Sequence, residues 1–172
     1  MYFDYLPTPL GEVAVASDGA SLTGLWFVGQ LYYGEPEKDA ERSDTLSVFA
    51  ETRKWLEFYF SGKRPGFTPA LSTEGYSPFR RRVWEELLAI PYGHTISYGE
   101  IAARLARESG KNVSAQAVGG AVGHNPISLL IPCHRVMGAG GSYTGYAGGI
   151  DRKIALLRLE GVDTRGFFVP KK

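Results

Sequence analysis

The stretch Asn125-Pro126-Ile127-Ser128-Leu129-Leu130-Ile131-Pro132-Cys133-His134-Arg135-Val136 holds the most chemically able side chains of this 172-residue sequence. Cys133 is the single cysteine, and one of the three histidines follows it directly. Pro132 ends an apolar run and holds the backbone rigidly before the thiol. The thiolate is the nucleophilic form of cysteine, and an unperturbed thiol has a pKa of about 8.5, so attack at neutral pH needs a nearby base or cation. An adjacent imidazole is suited to take that proton. In an extended segment, however, neighbouring side chains point opposite ways, so Cys133 and His134 would need a turn or a bridging water. A lone cysteine is usually a small buried hydrophobe, and adjacency to a histidine is by itself weak evidence for a nucleophile.

Composition narrows the chemistry. One cysteine excludes an internal disulfide, and it rules out zinc sites built within one chain from four cysteines or from two cysteines and two histidines. No metal and no cofactor is expected, and the cysteine usage points to a reducing, cytoplasmic setting. The sequence has no run of about 18 apolar residues and no secretory signal pattern at Met1-Tyr2-Phe3-Asp4-Tyr5, so no membrane partner is expected. Apolar residues make up 44% of the chain, enough for a packed core. The net charge of +1 hides an asymmetry: residues 1–77 carry 6 Lys/Arg against 11 Asp/Glu, a net of −5, and residues 78–172 carry 13 against 7, a net of +6. An anionic partner for the second part, or chance placement of solvated charges, both account for it.

The elements that must position the thiol fall into two parts, divided at residues 76/77. Tyr2–Leu6, Glu12–Ser17 and Leu22–Val28 read as strands, with Asp18-Gly19 as a hairpin turn. Gly34–Arg42 reads as a loop. Leu46, Phe49, Arg53, Leu56, Tyr59 and Phe60 recur at helical spacing, with Asp44 or Thr45 as the cap and Gly62 as the stop. Residues 63–76, with two prolines and two glycines, read as an extended linker.

The second part is mostly helical. Ser77-Pro78 opens a helix that buries Phe79, Val83, Trp84, Leu87 and Leu88. Ser97-Tyr98-Gly99-Glu100 is a capping box for a helix to about Glu108. After a turn, Ser114 caps a short helix from Ala115, which completes a helix-turn-helix pattern. Ile127–Ile131 reads as a buried extended segment. Gly138–Gly149 is glycine-rich loop, and Asp151 caps a last helix through Glu160. The fold class is therefore α/β of the α+β kind: a small sheet with a helix, then a helical domain.

Pro132-Cys133-His134-Arg135-Val136, preceded by Asn125-Pro126, resembles the active-site signature of the O6-alkylguanine-DNA alkyltransferases, also called methylated-DNA–protein-cysteine methyltransferases. The similarity extends over about 78–161, through Ile96-Ser97-Tyr98-Gly99, Ala117-Val118-Gly119-Gly120-Ala121, Tyr146-Ala147-Gly148-Gly149 and Leu159-Glu160-Gly161. The N-terminal part matches only in outline.

The resemblance implies an activity and roles. The alkyl group of O6-alkylguanine passes irreversibly to the protein's own cysteine, once per molecule, with O4-alkylthymine an open second lesion. Cys133 is the acceptor, His134 its base through a water, and Glu160 the residue that orients His134. Asn125 braces the active-site segment. Tyr98 helps rotate the nucleotide and protonates the leaving base. The carbonyls of Cys133 and Val136 accept from the exocyclic amine. Ala147 donates its amide to the guanine oxygen, Tyr146 walls the pocket, and Gly148 and Gly149 leave room for the alkyl group. Ser114, Ala115, Gln116, Ala117, Gly119, Gly120 and Arg135 are the expected DNA contacts. The partner implied is double-stranded DNA, bound through its minor groove by a monomer with the base flipped out.

The departures are three. Gln116 stands where much of the family has an arginine that fills the vacated stack. Ala147 replaces a serine of some relatives, and the N-terminal zinc ligands of others are absent. Two further readings stay on the table: a lesion-binding protein of the alkyltransferase-like type, which Cys133 argues against, and a cysteine hydrolase, which would need an oxyanion hole and should turn over.

Overall fold

A computed structural model describes residues 1–171. The chain divides into two compact units, one of residues 1–75 with 126–130, the other of residues 76–125 with 131–172. The division is therefore not a single cut near residue 76, since a five-residue piece of the later sequence joins the first unit.

In the first unit, β1 (Tyr2–Leu6), β2 (Val13–Ser17) and β3 (Leu22–Phe27) form an antiparallel meander. Asp18 makes the β2–β3 turn: its Oδ1 accepts from the amides of Ala20 and Ser21. The segment expected to be loop ends in a two-residue strand, β4 (Glu41–Arg42), which pairs parallel to β1 in the order β3-β2-β1-β4. A side-chain anchor holds it, since the buried Asp4 carboxylate takes Arg42 at 3.1 Å and Arg53 of the following helix at 3.6 Å. That helix, α1 (Ser47–Phe60), buries Val48, Phe49, Thr52, Trp55, Leu56 and Tyr59 at helical spacing. Its cap position is Leu46 with no side-chain cap, so neither Asp44 nor Thr45 fills that role.

The open edge of β3 is covered. Residues of the expected linker bond to it through Leu22 N to Ala70 O and Ser72 N to Leu22 O, both 2.8 Å. Leu25 pairs in the same way with Pro126 O and Ser128 N. Residues 126–130 are thus buried as expected, but not extended throughout. Leu129 adopts φ 70°, a left-handed conformation that a leucine takes only when its surroundings impose it.

The second unit begins with α2 (Pro78–Leu88), capped by Ser77, whose oxygen accepts from Arg80 N. Its buried residues are Val83, Trp84, Glu86 and Leu87, while Phe79 and Leu88 are exposed, contrary to the sequence reading. Glu86 is tolerated inside because Arg82 and Arg104 pair with it. The Trp84 indole donates to Ala121 O at 2.9 Å. A short strand β5 (Ile96–Ser97) leads into α3 (Tyr98–Ser109), where both halves of the Ser97–Glu100 capping box are made. Gly110 closes α3 in the left-handed conformation, and α4 (Ala115–Gly123) starts from Ser114, which accepts from Ala117 N. The Trp84 bond therefore ties α2 to α4.

After the excursion of 126–130, Cys133–Arg135 form a 3₁₀ turn and β6 (Val136–Met137) pairs parallel with β5, Ile96 opposite Val136 and Ser97 opposite Met137. The last helix is α5 (Ile150–Leu159). Gly149 is its cap residue, so Asp151 is a first-turn acid rather than the cap. Met137, Tyr143 and Leu157 form a cluster under the glycine-rich loop. Among the described residues no helix is long and apolar enough to cross a membrane.

The capping box sits at the junction of β5 and α3, so its loss should be felt in unfolding. Ser97→Ala should cost about 1 kcal/mol and Ser97→Thr much less. Urea unfolding of the two variants tests this, and equal stabilities would show that the Ser97 oxygen contributes nothing.

Candidate active site

Cys133 is 4% exposed and sits on the 3₁₀ turn, not in an extended segment. The turn removes the geometric objection to pairing it with His134, because successive side chains of a helical turn no longer point to opposite faces. Before the turn, Asn125 acts as a clasp: its Nδ2 donates to Ile131 O at 2.7 Å, closing the base of the excursion, and its side chain also hydrogen-bonds Cys133.

Glu160, the residue that ends α5, organises the other side. Its Oε1 lies 2.7 Å from His134 Nε2, and both side chains are fully buried. Arg135 donates from Nε to Oε2 and from Nη2 to Oε1, each at 2.9 Å. The backbone amide of Gly93 donates to Oε2 at 3.2 Å. Arg135 also donates to Ile90 O at 2.8 Å and lies over the Tyr92 ring. Arg135 is also one of the residues expected to contact DNA. Its guanidinium is largely buried and engaged by Glu160 and Ile90, and its chemistry is to neutralise a buried carboxylate.

These contacts set the protonation states. Burial alone would raise the Glu160 carboxyl, but the His134 hydrogen bond and the Arg135 charge hold it down at about 2. Burial pushes His134 below its ordinary value, against the pull of Glu160, with the Arg135 charge reinforcing the shift. Burial raises the Cys133 thiol, with Asn125 and the charge of Lys153 pulling the other way. At rest the group is a thiol, a neutral imidazole and a carboxylate. A carboxylate at Nε2 places the ring proton there and leaves the lone pair on Nδ1.

Tyr98, the first residue of α3, donates its hydroxyl towards Thr144 O at 3.3 Å and Gly145 O at 3.2 Å. Gly145 lies so close that a Cβ there would be 2.5 Å from that hydroxyl. Tyr146 is buried, and its hydroxyl finds no hydrogen-bond partner among the described residues. Gly148 faces the Tyr146 ring, where a Cβ would clash at 2.6 Å. Gly149 has open space around it, so its glycine answers to a φ of 95° at the start of α5. Ala147 is half-buried and Val136 fully buried. An open cleft of about 540 Å³ lies between Tyr98, Gln116, Gly119, Ala139, Thr144 and Gly145. Ser114, Ala115, Gln116 and Ala117 at the start of α4, and Gly120 further along it, are all exposed, with the Ser114 oxygen employed as the cap.

Two features escaped the sequence reading. One is the Arg135 clamp. The other is Lys153, which is fully buried and donates to the carbonyls of Val136 and Thr144. A signal for it existed, since Lys153 lies three and four residues before Leu156 and Leu157 on the buried stripe of α5. Among the described residues no group of three or more His, Cys, Asp and Glu is arranged to hold a metal ion.

Comparison with known proteins covers both units. The model of the 6-O-methylguanine DNA methyltransferase DNA-binding domain matches residues 78–162, and that of the same family's ribonuclease-like domain matches residues 1–73. The chain is 43% identical over 160 residues to the methylated-DNA–protein-cysteine methyltransferase of Mycobacterium tuberculosis, covering 93% of this chain and 92% of that protein. It is 39% identical to the protein of the same name from Haemophilus influenzae, covering 93% and 86%. A crystal structure of Mycobacterium tuberculosis OGT in complex with DNA superposes with a TM-score of 0.81 at 41% identity, covering 93% and 92%.

The carboxylate makes the site sensitive to acid. Glu160 titrates at about 2 when folded and at about 4.3 when unfolded, so its stabilisation is present above about pH 4.3 and is lost as pH falls towards 2. Glu160→Gln should destabilise the protein by about 3 kcal/mol at pH 7, because it leaves Arg135 buried without its counter-ion. That gap should narrow from about pH 5 down to about pH 2 in urea unfolding. A gap that stayed constant with pH would show that Glu160 is not held as a buried anion.

Proposed function

The chain belongs to the 6-O-methylguanine DNA methyltransferase family, and from that premise we propose that it repairs O6-alkylguanine in DNA by taking the alkyl group onto Cys133, irreversibly and once per molecule. The observation that carries this reading is the seating of Cys133: a buried thiol on a turn, held by Asn125 and followed by a neutral histidine that Glu160 orients at 2.7 Å. His134 Nδ1 accepts the thiol proton through a water, and the resulting imidazolium is stabilised by Glu160 in the manner of a triad. The thiolate attacks the alkyl carbon, so the S–C bond forms as the O6–C bond breaks. Guanine leaves after gaining one proton, for which the Tyr98 hydroxyl is the donor. The product thioether has no route back, which makes the protein a stoichiometric reagent. The lesion supplies its own alkyl group, so the transfer calls for no cofactor.

The lesion is unreachable inside a stacked duplex, so the nucleotide swings out of the helix. The exposed start of α4 enters the minor groove, with Gln116 beside Tyr98 at the cleft. The extruded base lies against Tyr146, its amine bonded to the carbonyls of Cys133 and Val136 and its oxygen to the Ala147 amide. Tyr98 exchanges its long bonds to Thr144 and Gly145 for the guanine as the base enters. O4-alkylthymine falls within the same chemistry. The protein acts as a monomer on duplex DNA, in the reducing cytoplasm where Cys133 stays a thiol.

Titration with excess methylated duplex should place one methyl per protein, on Cys133, with none on Cys133→Ser although that variant still binds DNA. Mass spectrometry of the protein after reaction reads both, and repeated turnover or binding without transfer would replace this reading with hydrolysis or lesion sensing.

Gln116 is planar and able to pair with the orphaned cytosine, but it is shorter than arginine and uncharged. Gln116→Arg should tighten binding to methylated duplex and speed repair there, while leaving the reaction with free O6-benzylguanine unchanged. Equal effects on duplex and free base would remove Gln116 from the stack.

A further inference from the structure

Lys153 is a lysine with no exposed surface in the interior of the second unit. A buried ammonium is costly and persists only where its protons find acceptors and its charge finds use. Its acceptors are two carbonyls from different segments. Val136 lies just past the 3₁₀ turn that carries Cys133, and Thr144 lies in the glycine-rich loop whose carbonyls also hold Tyr98. Carbonyls alone could be served by a neutral donor, so the charge needs another explanation. Among the described residues no carboxylate pairs with Lys153: Glu160, the buried acid of this region, is taken by Arg135 and His134.

We propose that Lys153 is a positioning residue for the transfer: it ties the Cys133 turn to the glycine-rich loop through the Val136 and Thr144 carbonyls and provides the fixed positive charge that receives the Cys133 thiolate. The inference rests on the transfer proposed above. In the step itself the thiol proton goes to His134, and Lys153 keeps its own three protons throughout, so no atom passes through it.

The titratable groups coupled to Lys153 are Cys133 and His134; beyond them Tyr98 and Tyr146 act on Cys133, Arg152 acts on Tyr146, and Arg135 and Glu160 act on His134. The Lys153 charge lowers the thiol, and the thiolate raises the ammonium in return, while burial leaves Lys153 at about 8 and still mostly charged at neutral pH. The same charge disfavours protonated His134, but there it is the weakest influence and is opposed by Glu160. Lys153 also explains how a thiol raised by burial can ionise.

The test is the rate of benzyl transfer from free O6-benzylguanine to Cys133 between about pH 6 and pH 9, for the wild type, Lys153→Gln, Lys153→Met and Lys153→Arg. The two neutral variants should be slower at pH 7 by about tenfold or more, with profiles displaced upward by about one pH unit and the loss partly recovered at high pH. Lys153→Arg should keep the position of the profile even where its rate falls. Neutral variants with the wild-type profile would overturn the proposal. If neither neutral variant folds, NMR titration of the Lys153 side-chain nitrogen decides. Its pKa should fall when Cys133 is replaced by serine or benzylated, because the coupling is reciprocal, and an unchanged Lys153 would overturn the proposal equally. A wild type that transfers no benzyl group at any pH would instead defeat the transfer reading itself.

Discussion

A carboxylate sealed from water governs the second unit. Glu160 ends a helix, where the dipole disfavours an anion, and its side chain is fully buried. It survives there because Arg135 grips both oxygens and Gly93 adds an amide. The cation matters beyond stability. Burial is the first cause of the neutral His134, and the Arg135 charge reinforces it against the pull of Glu160. With Arg135 in place the carboxylate is already balanced, and His134 stays neutral while being held in one tautomer. Arg135 therefore helps keep its neighbour unprotonated.

The second constraint is where the backbone puts the thiol. The β5–β6 ladder is two residues long, yet it fixes two reaction partners at once. Ile96 and Ser97 lead directly into Tyr98, and Val136 and Met137 follow directly on the Cys133 turn. Registering these strands registers the phenol against the thiol segment. The Asn125 clasp does the same on the upstream side. It closes a five-residue detour whose turn is forced through a left-handed leucine, so the strain at Leu129 is held by the burial of 126–130 and by a bond across the detour's base.

What the sequence made legible were local signals. Ser77, Ser97 with Glu100, and Ser114 are caps whose hydrogen bonds lie within three residues, and all three form. The strands were legible because their alternation and turns are local as well. The pairing of Glu160 with His134 came from the family resemblance, since nothing local fixes a contact between positions 26 residues apart. What escaped depends on distant partners. β4 exists because Asp4 binds Arg42 across 38 residues. Leu46 caps α1 although Asp44 and Thr45 are better cap types, which shows tertiary context overriding propensity. Arg135 stood among the DNA contacts that the resemblance implies, and its ion pair with Glu160 joins positions 25 residues apart, which no local signal gives.

Helix α5 unites these constraints. Lys153 and Glu160 are seven residues apart, about two helical turns, so they project from one face of the same rod. Their contacts fall on successive residues of one short segment, His134 and Arg135 at the Glu160 end and Val136 at the Lys153 end. The cysteine turn is therefore braced by an anion and a cation carried on a single element that packs against it. A rigid helix fixes the separation of those charges, which flexible loops could not do. Proton removal is arranged at one end and reception of the negative sulfur at the other. Both must be in place before a substrate arrives, because a buried site lacks the bulk solvent that would rearrange around a new charge.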